Sequence, residues 1–373
     1  MKKVCFVIPK AYYLFNPNAN GAKDKVGGAQ KQAYLLSTSL AQDKNFNVHF
    51  LVADFGQEKL EKIKNVTIWK SFNFSDILFK RVLNLLSILK KINAEYFIFR
   101  SADIGVALAV FYVKNILRKK AIYMIASDIE TSKTEQRKHS SLATVNAMQY
   151  VYNKSDMVIA QTKKQLLNLQ KNRNRLPDAI IKNIYLSIPN NNTNINKKNT
   201  ILWVGRITKN KKPELFIELA KKYPNENFIM IAPIVLEHKS YGNNIQTEVK
   251  KIRNITLFNY IKPNEINKFY KEAKIYVLSS EFEGFSNTMA EAMINDCSIL
   301  SYNVNPDNIL ENYKCGLCAN NDLDLFFSQF DTLLNNFELR KTFGQNGRNY
   351  IKKEHDKNKI INTFKSLFDK TQN

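Results

Sequence analysis

The sequence predicts an α/β protein of two domains, each a parallel sheet flanked by helices, and three observations carry that prediction. Short apolar runs alternate with amphipathic helical stretches from Lys2 to about Leu186, and the alternation restarts at Ile201. Between the two regions, residues 189–199 are a run of Asn, Lys and Thr with almost no apolar content, the composition of a linker. The length of 373 residues exceeds one compact domain, and a hydrophobic fraction of 44% is ample for two packed cores. The domains are therefore expected at 1–188 and 200–355, joined by the linker 189–199.

In chain order, the first region offers β-branched and aromatic strands at 3–8, 48–52, 96–99, 121–125 and 157–160. The second offers 201–204, 228–232, 255–258, 275–278 and 298–300, each followed by a helix or turn. Near the end, Ile360, Ile361, Phe364, Leu367 and Phe368 fall on one helical stripe suited to docking on a neighbour.

The most informative stretch runs from Glu283 to Glu291, Glu-Gly-Phe-Ser-Asn-Thr-Met-Ala-Glu, between the strand ending at Ser280 and a helix-forming segment. At such a corner the first helical amides lack internal partners, and the aligned peptide dipoles leave about half a positive charge there, which suits a phosphate. Gly284 and Phe285 make the turn, and Ser286, Asn287 and Thr288 offer the amides. Glu291 lies roughly 7.5 Å further along the axis, too far to repel the phosphates and well placed for a ribose hydroxyl pair. Glu283 stands on the other side, where a transferred group would lie. Taken alone, the motif leaves a lesser alternative, a structural loop with two solvated glutamates.

A second element begins with the buried strand 201–204, followed by Gly205 and Arg206; Lys211, Lys212, Pro213 and Glu214 then open a helix, with proline in its first turn. Ligands of open α/β sheets bind at that strand edge, where Arg206 grips two oxygens and Lys211 acts as a point charge. Lys209 and Lys212 read as surface solvation. A third element is Gly27-Gly28-Ala29-Gln30, ahead of a helix through about Ala41, where glycines permit close backbone approach to an anion. The connection from Pro9 to Val26 is longer than in a dinucleotide fingerprint.

Together these residues resemble the retaining glycosyltransferases of family 4. Glu283 and Glu291 match the family's E-x7-E element, Arg206 and Lys211 its diphosphate contacts, and Gly27 and Gly28 its N-terminal glycine loop. The resemblance covers nearly the whole chain. It implies the GT-B fold, with two Rossmann-like domains facing each other across a cleft and the last helix, 356–373, packing back on the first domain. Donor contacts then fall to Gly27, Gly28, Arg206, Lys211, Gly284, Phe285, Ser286, Asn287, Thr288 and Glu291, and Glu283 is catalytic. The segments Ala126-Ser127-Asp128 and Tyr302–Asp307 fit a subgroup that builds bacterial surface polysaccharides. Many relatives carry a histidine at the tip of the strand 121–125, where this chain reads Ala126-Ser127-Asp128. Asp128 is either a second catalytic residue, orienting or deprotonating an acceptor hydroxyl, or a helix N-cap ahead of Glu130.

The implied activity is metal-independent transfer of a sugar from a nucleotide-diphosphate donor to a hydroxyl of a lipid-linked or growing surface polysaccharide, with retention of configuration and no cofactor. The one Asp-x-Asp triplet, at Asp322 and Asp324, reads as a helix-capping turn rather than a metal site. A sugar-nucleotide 2-epimerase on the same fold and a non-catalytic glycan- or membrane-binding scaffold remain alternatives.

Composition excludes several other classes. No apolar run reaches the roughly 18 residues that span a bilayer; the longest, 104–113, suits a buried helix. Met1-Lys2-Lys3 leads straight into a strand, unlike a cleavable signal. Four cysteines make neither a disulfide scaffold nor a zinc site, which points to a reducing cytoplasm. The net charge of +23 is uneven, with 30 Lys+Arg against 13 Asp+Glu in residues 1–190 and 26 against 20 in the rest. That basic half suits an anionic membrane surface, peripherally on the inner face of the cytoplasmic membrane. Residues 79–91 carry apolar residues at helical spacing with cations at both ends, as either a core helix or an interfacial helix would. Nucleic acid is not an expected partner, because the aromatic residues sit inside apolar runs rather than in an arginine-interleaved stacking patch.

Overall fold

The computed structural model describes residues 1–19, 27–185, 198–262 and 265–370. The loop residues Asn20 and Lys25 and most of the segment 189–199 lie outside the described residues. The chain divides into two compact units, one of Met1–Leu186 with Lys357–Asn373 and one of Ser187–Asp356. Each is an α/β unit built on its own sheet.

The first unit carries eight strands: β1 (Lys2–Val7), β2 (Phe46–Val52), β3 (Leu60–Ile63), β4 (Val66–Lys70), β5 (Tyr96–Phe99), β6 (Lys120–Met124), β7 (Met157–Ala160) and β8 (Ala179–Ile180). They lie in the order β3-β4-β2-β1-β5-β6-β7-β8. Every pairing is parallel except β3 with β4. Strands buried on both faces need continuous apolar runs, and β5 and β7 are buried at every position. The β3–β4 hairpin is absent from the sequence reading. It turns through Lys64 and Asn65, both left-handed with φ of 51° and 64°, which matches the twist of a tight hairpin.

One face of this sheet packs against the helix Gly28–Leu40 and the last helix, Lys357–Lys370, whose Ile360, Ile361, Phe364, Leu367 and Phe368 are all buried there. Phe368 sits edge-on to Tyr96 at 4.8 Å and to Phe46 at 5.4 Å, and Lys365 pairs with Asp43 at 2.6 Å. Burial of each such side chain contributes roughly 1.5–3 kcal/mol, so this helix is an integral layer of the first unit. The opposite face is covered by the helices Leu78–Ile92, Ile104–Phe111 and Leu142–Lys154.

The second unit holds β9 (Thr200–Val204), β10 (Asn227–Ile231), β11 (Ile255–Phe258), β12 (Ala273–Leu278), β13 (Ser298–Ser301) and β14 (Gly316–Cys318). Their order is β11-β10-β9-β12-β13-β14, all parallel. The chain winds outward from β9 to β11, then returns to β12 and winds the other way. The strand order therefore reverses between β9 and β12, and a crevice opens at such a reversal outside the carboxyl ends of the strands.

One element departs from its sequence reading. The apolar run 104–113 forms the helix Ile104–Phe111, continued by a π turn at Tyr112–Ile116, but it is not a fully buried helix. Val106, Ala109 and Val110 face the core, while Ile104, Leu108 and Phe111 stay exposed.

Candidate functional site

The residues singled out in the second unit collect at the reversal between β9 and β12. Arg206 and Lys211 follow β9, and the stretch from Glu283 to Glu291 follows β12. The helix there runs Asn287–Ile294, with Ser286 as its N-cap. The buried Ser286 Oγ accepts the Met289 N–H at 3.4 Å, and Asn287 and Thr288 form the first positions of the helix, at the positive end of its dipole. The Tyr276 hydroxyl of β12 donates to Thr288 Oγ1 at 2.7 Å, which fastens the helix start to the strand below it.

Both glutamates flank that buried phenol. Burial pushes the Tyr276 pKa well above its ordinary value, and the charges of Glu283 and Glu291 add to the rise. Glu291 acts the same way on the buried Tyr270 phenol, where burial again is the largest cause.

Glu283 is engaged. Lys211 Nζ donates to its Oε1 at 2.5 Å and Ser280 Oγ to the same oxygen at 2.7 Å, and the Lys and Glu side chains are only 22% and 16% exposed. The backbone around this pair is clamped. Ser279 Oγ donates to the Lys211 carbonyl at 2.5 Å and accepts the Trp203 indole N–H at 2.9 Å, and the Glu281 N–H reaches the Asn210 carbonyl at 2.8 Å. Asn303 Nδ2, beyond β13, donates to the Glu281 carbonyl at 2.7 Å. Ser279 and Ser280 carry out this positioning although the sequence reading assigned them nothing, and Asn303, within the segment Tyr302–Asp307, has no role of its own in that reading. The only local signal was a pair of small hydroxyl residues at the end of β12.

Arg206 is exposed and, among the described residues, makes no hydrogen bond or ion pair, so its guanidinium is open to an anion. Lys212 caps the next helix in a left-handed conformation, φ 43°, and its ammonium lies 4.8 Å from the centre of the Tyr302 ring. The Phe285 ring packs against Tyr350 and His355, at 6.4 and 4.3 Å between centroids, so that residue presents its backbone to the corner. Gly284 is buried beside it. Asp322 caps the helix Leu323–Asn335, its Oδ1 accepting the Leu325 N–H at 2.9 Å.

In the first unit, Gly27 is the N-cap of the helix Gly28–Leu40, so the glycine pair opens the helix rather than preceding it by a turn. Gln30 Oε1 accepts the Gly27 N–H at 2.9 Å. Asp128 begins a short 3-10 helix, Asp128–Thr131, beyond the carboxyl end of β6, with Ser127 rather than Asp128 at the N-cap position. Gln165 Nε2 donates to its Oδ1 at 3.0 Å and Lys164 Nζ lies 3.3 Å from its Oδ2. Neither gene-level pattern nor spacing flagged its neighbour Glu130, which is 5% exposed and accepts from the Tyr123 hydroxyl at 2.6 Å. Burial raises the Glu130 pKa to about 7. Burial likewise lowers that of Arg100, at the carboxyl end of β5, to about 10, with Glu130 opposing the fall. Arg100 donates to Asn183 Oδ1 at 3.1 Å.

Residues 187–350 match the family Glycosyl transferases group 1. Over the full length of both chains, the protein is 22% identical to an uncharacterized glycosyltransferase of Methanocaldococcus jannaschii. It is also 22% identical to the capsular polysaccharide biosynthesis glycosyltransferase CapM of Staphylococcus aureus, over 47% of each chain. Among solved structures, sucrose-phosphate synthase of Thermosynechococcus elongatus superposes with a TM-score of 0.83 at 13% identity, covering 100% of this chain and 99% of that one. Anabaena HepE, in complex with UDP and glucose, superposes with a TM-score of 0.75 at 12% identity, covering 99% of this chain and all of that one. With a group 1 domain laid over its second unit and two parallel-sheet units in the GT-B arrangement of strands, the chain is a glycosyltransferase of the GT-B fold.

Proposed function

We propose that the enzyme moves a sugar, with retention of configuration, from a nucleoside-diphosphate donor to a hydroxyl of a lipid-linked or growing surface polysaccharide. The observation that carries the reading is the Lys211–Glu283 pair beside the open Arg206 and the start of the helix Asn287–Ile294. It supplies two cations and a helix dipole for a diphosphate, with one carboxylate toward the sugar and another, Glu291, toward the ribose. The HepE structures hold UDP and UDP-glucose, which supports a sugar nucleotide as donor. The name of CapM supports a polysaccharide as acceptor.

In this reading the bond between the anomeric carbon and the diphosphate oxygen breaks as Arg206, Lys211 and the helix amides hold the developing negative charge. The acceptor oxygen bonds to the same carbon on the same face, and its proton passes to the leaving phosphate. These groups neutralise the diphosphate without a divalent cation. Asp128 orients the acceptor hydroxyl in the first unit.

Thermal-shift measurements over a panel of UDP-, GDP- and ADP-sugars test the donor class, and NMR of the product's anomeric proton tests retention. Stabilisation by no sugar nucleotide would defeat the proposal. Conversion of the donor alone into its 2-epimeric sugar nucleotide, without acceptor, would favour an epimerase. Full activity in EDTA is the expected result for metal independence.

A further inference from the structure

The outer surface of one helical layer in the first unit combines exposed apolar side chains with positive charge that is only partly paired. The helices Leu78–Ile92, Ile104–Phe111 and Leu142–Lys154 pack their inner stripes into one core through Leu85, Leu89, Val110 and Met148, so their outer faces form a single surface. On that surface Leu78, Phe79, Leu83, Leu108, Phe111 and Ile116 are each between 44% and 71% exposed. Scattered exposed leucines need no explanation, but a contiguous group on adjoining helices does.

The charge pattern says what would cover it. Residues 77–94 and 104–127 contain eight Lys and Arg and not one Asp or Glu. Lys80 pairs with Asp76, and Lys114 and Lys120 share Asp156. Arg81, Lys90, Lys91, Arg118 and Lys119 have no ion-pair partner among the described residues. A second copy of the chain would bring the same positive sign to the contact. A nucleic acid would answer the charge and could stack on Phe79 and Phe111, but would leave Leu78, Leu83, Leu108 and Ile116 in water. Anionic headgroups above a hydrocarbon layer answer both, because apolar side chains enter the acyl boundary while Lys and Arg remain at headgroup level.

We propose that this face docks on an anionic phospholipid bilayer, with Phe79, Leu83, Leu108 and Phe111 inserted and Lys90, Lys91, Arg118 and Lys119 at the phosphates. The contact goes beyond the transferase reading: it needs neither donor nor acceptor, so its failure and the failure of that reading are separable.

The full-length protein is sedimented with vesicles of phosphatidylcholine and with vesicles of phosphatidylcholine containing phosphatidylglycerol, without substrates. Binding at least about tenfold tighter to the anionic vesicles is expected, falling steeply with salt. Lys90→Glu with Lys91→Glu should weaken it at least about tenfold, and Phe79→Ser with Leu83→Ser should weaken it severalfold, both with unchanged thermal midpoints. Lys250→Glu with Lys251→Glu, in the other unit, changes net charge equally and should have little effect. Equal binding to neutral vesicles, an equal loss from the 250/251 variant, or no loss from Phe79→Ser with Leu83→Ser overturns the proposal. So does a concentration-dependent dimer, by light scattering, that Leu108→Asp abolishes.

Discussion

Replacing Glu283 by Gln should have opposite effects on nucleotide binding and on turnover. Lys211 spends its charge on Glu283 at 2.5 Å, with both side chains largely covered. Two unit charges about 4 Å apart at an effective dielectric of about 20 attract by about 4 kcal/mol before desolvation is counted. Exposed pairs net under about 1 kcal/mol, and breaking buried ones costs about 3–5 kcal/mol, so this largely but not fully covered pair falls near about 2 kcal/mol. A diphosphate that recruits Lys211 must overcome that attraction and the repulsion of the carboxylate. The amide of Gln keeps the side chain's shape and its contact with Ser280 but removes the competing charge. Binding of UDP or GDP should therefore tighten about tenfold in Glu283→Gln, since about 1.4 kcal/mol is a decade. Turnover with the intact donor should fall about a hundredfold, because the carboxylate no longer faces the growing positive charge of the sugar. Isothermal titration with the nucleoside diphosphate and single-turnover kinetics with the sugar nucleotide read the two effects. An unchanged or weakened diphosphate affinity would refute the exchange of Lys211 between carboxylate and phosphate.

Glu291→Ala should weaken nucleotide binding about tenfold while leaving the rate of the bound complex nearly intact, which a comparison of Kd with single-turnover rate resolves. Arg206→Ala should lower kcat/KM about a hundredfold with no change in thermal midpoint, as the guanidinium is exposed and makes no ion pair among the described residues. Glu130 predicts a pH dependence of stability. Its folded pKa of about 7 lies above the ordinary carboxylate value, so the protonated form favours folding, fully below about pH 4.5 and progressively less as pH rises to about 7. The loss is at most about 3 kcal/mol, and Glu130→Gln, which can still accept from Tyr123, should flatten that part of the denaturation profile.

The sequence by itself determined the two α/β regions, because parallel strands buried on both faces must be continuous apolar runs. The segments 96–99, 157–160 and 255–258 announce β5, β7 and β11 to the residue. It also disclosed the strand-to-helix corner at Glu283–Glu291, since a glycine turn and a helix-forming run are local chemistry; the capping role of Ser286 came from the structure. Local pattern did not reveal the β3–β4 hairpin, whose turn depends on two left-handed residues, nor β14, a short strand stabilised by its neighbour β13.

Tertiary structure alone decided who meets whom. The pairing of Lys211 with Glu283 spans 72 residues and exists because β9 and β12 become neighbours where the strand order reverses. The covering of Glu130 by Tyr152 and Arg173, which donate to its carbonyl, and the inward turn of the Phe285 ring against Tyr350 and His355 likewise come from residues far along the chain. The run 104–113 shows the same division of labour: its apolar composition fixed a helix, but only the adjoining helices determined which half would be covered and which left to water.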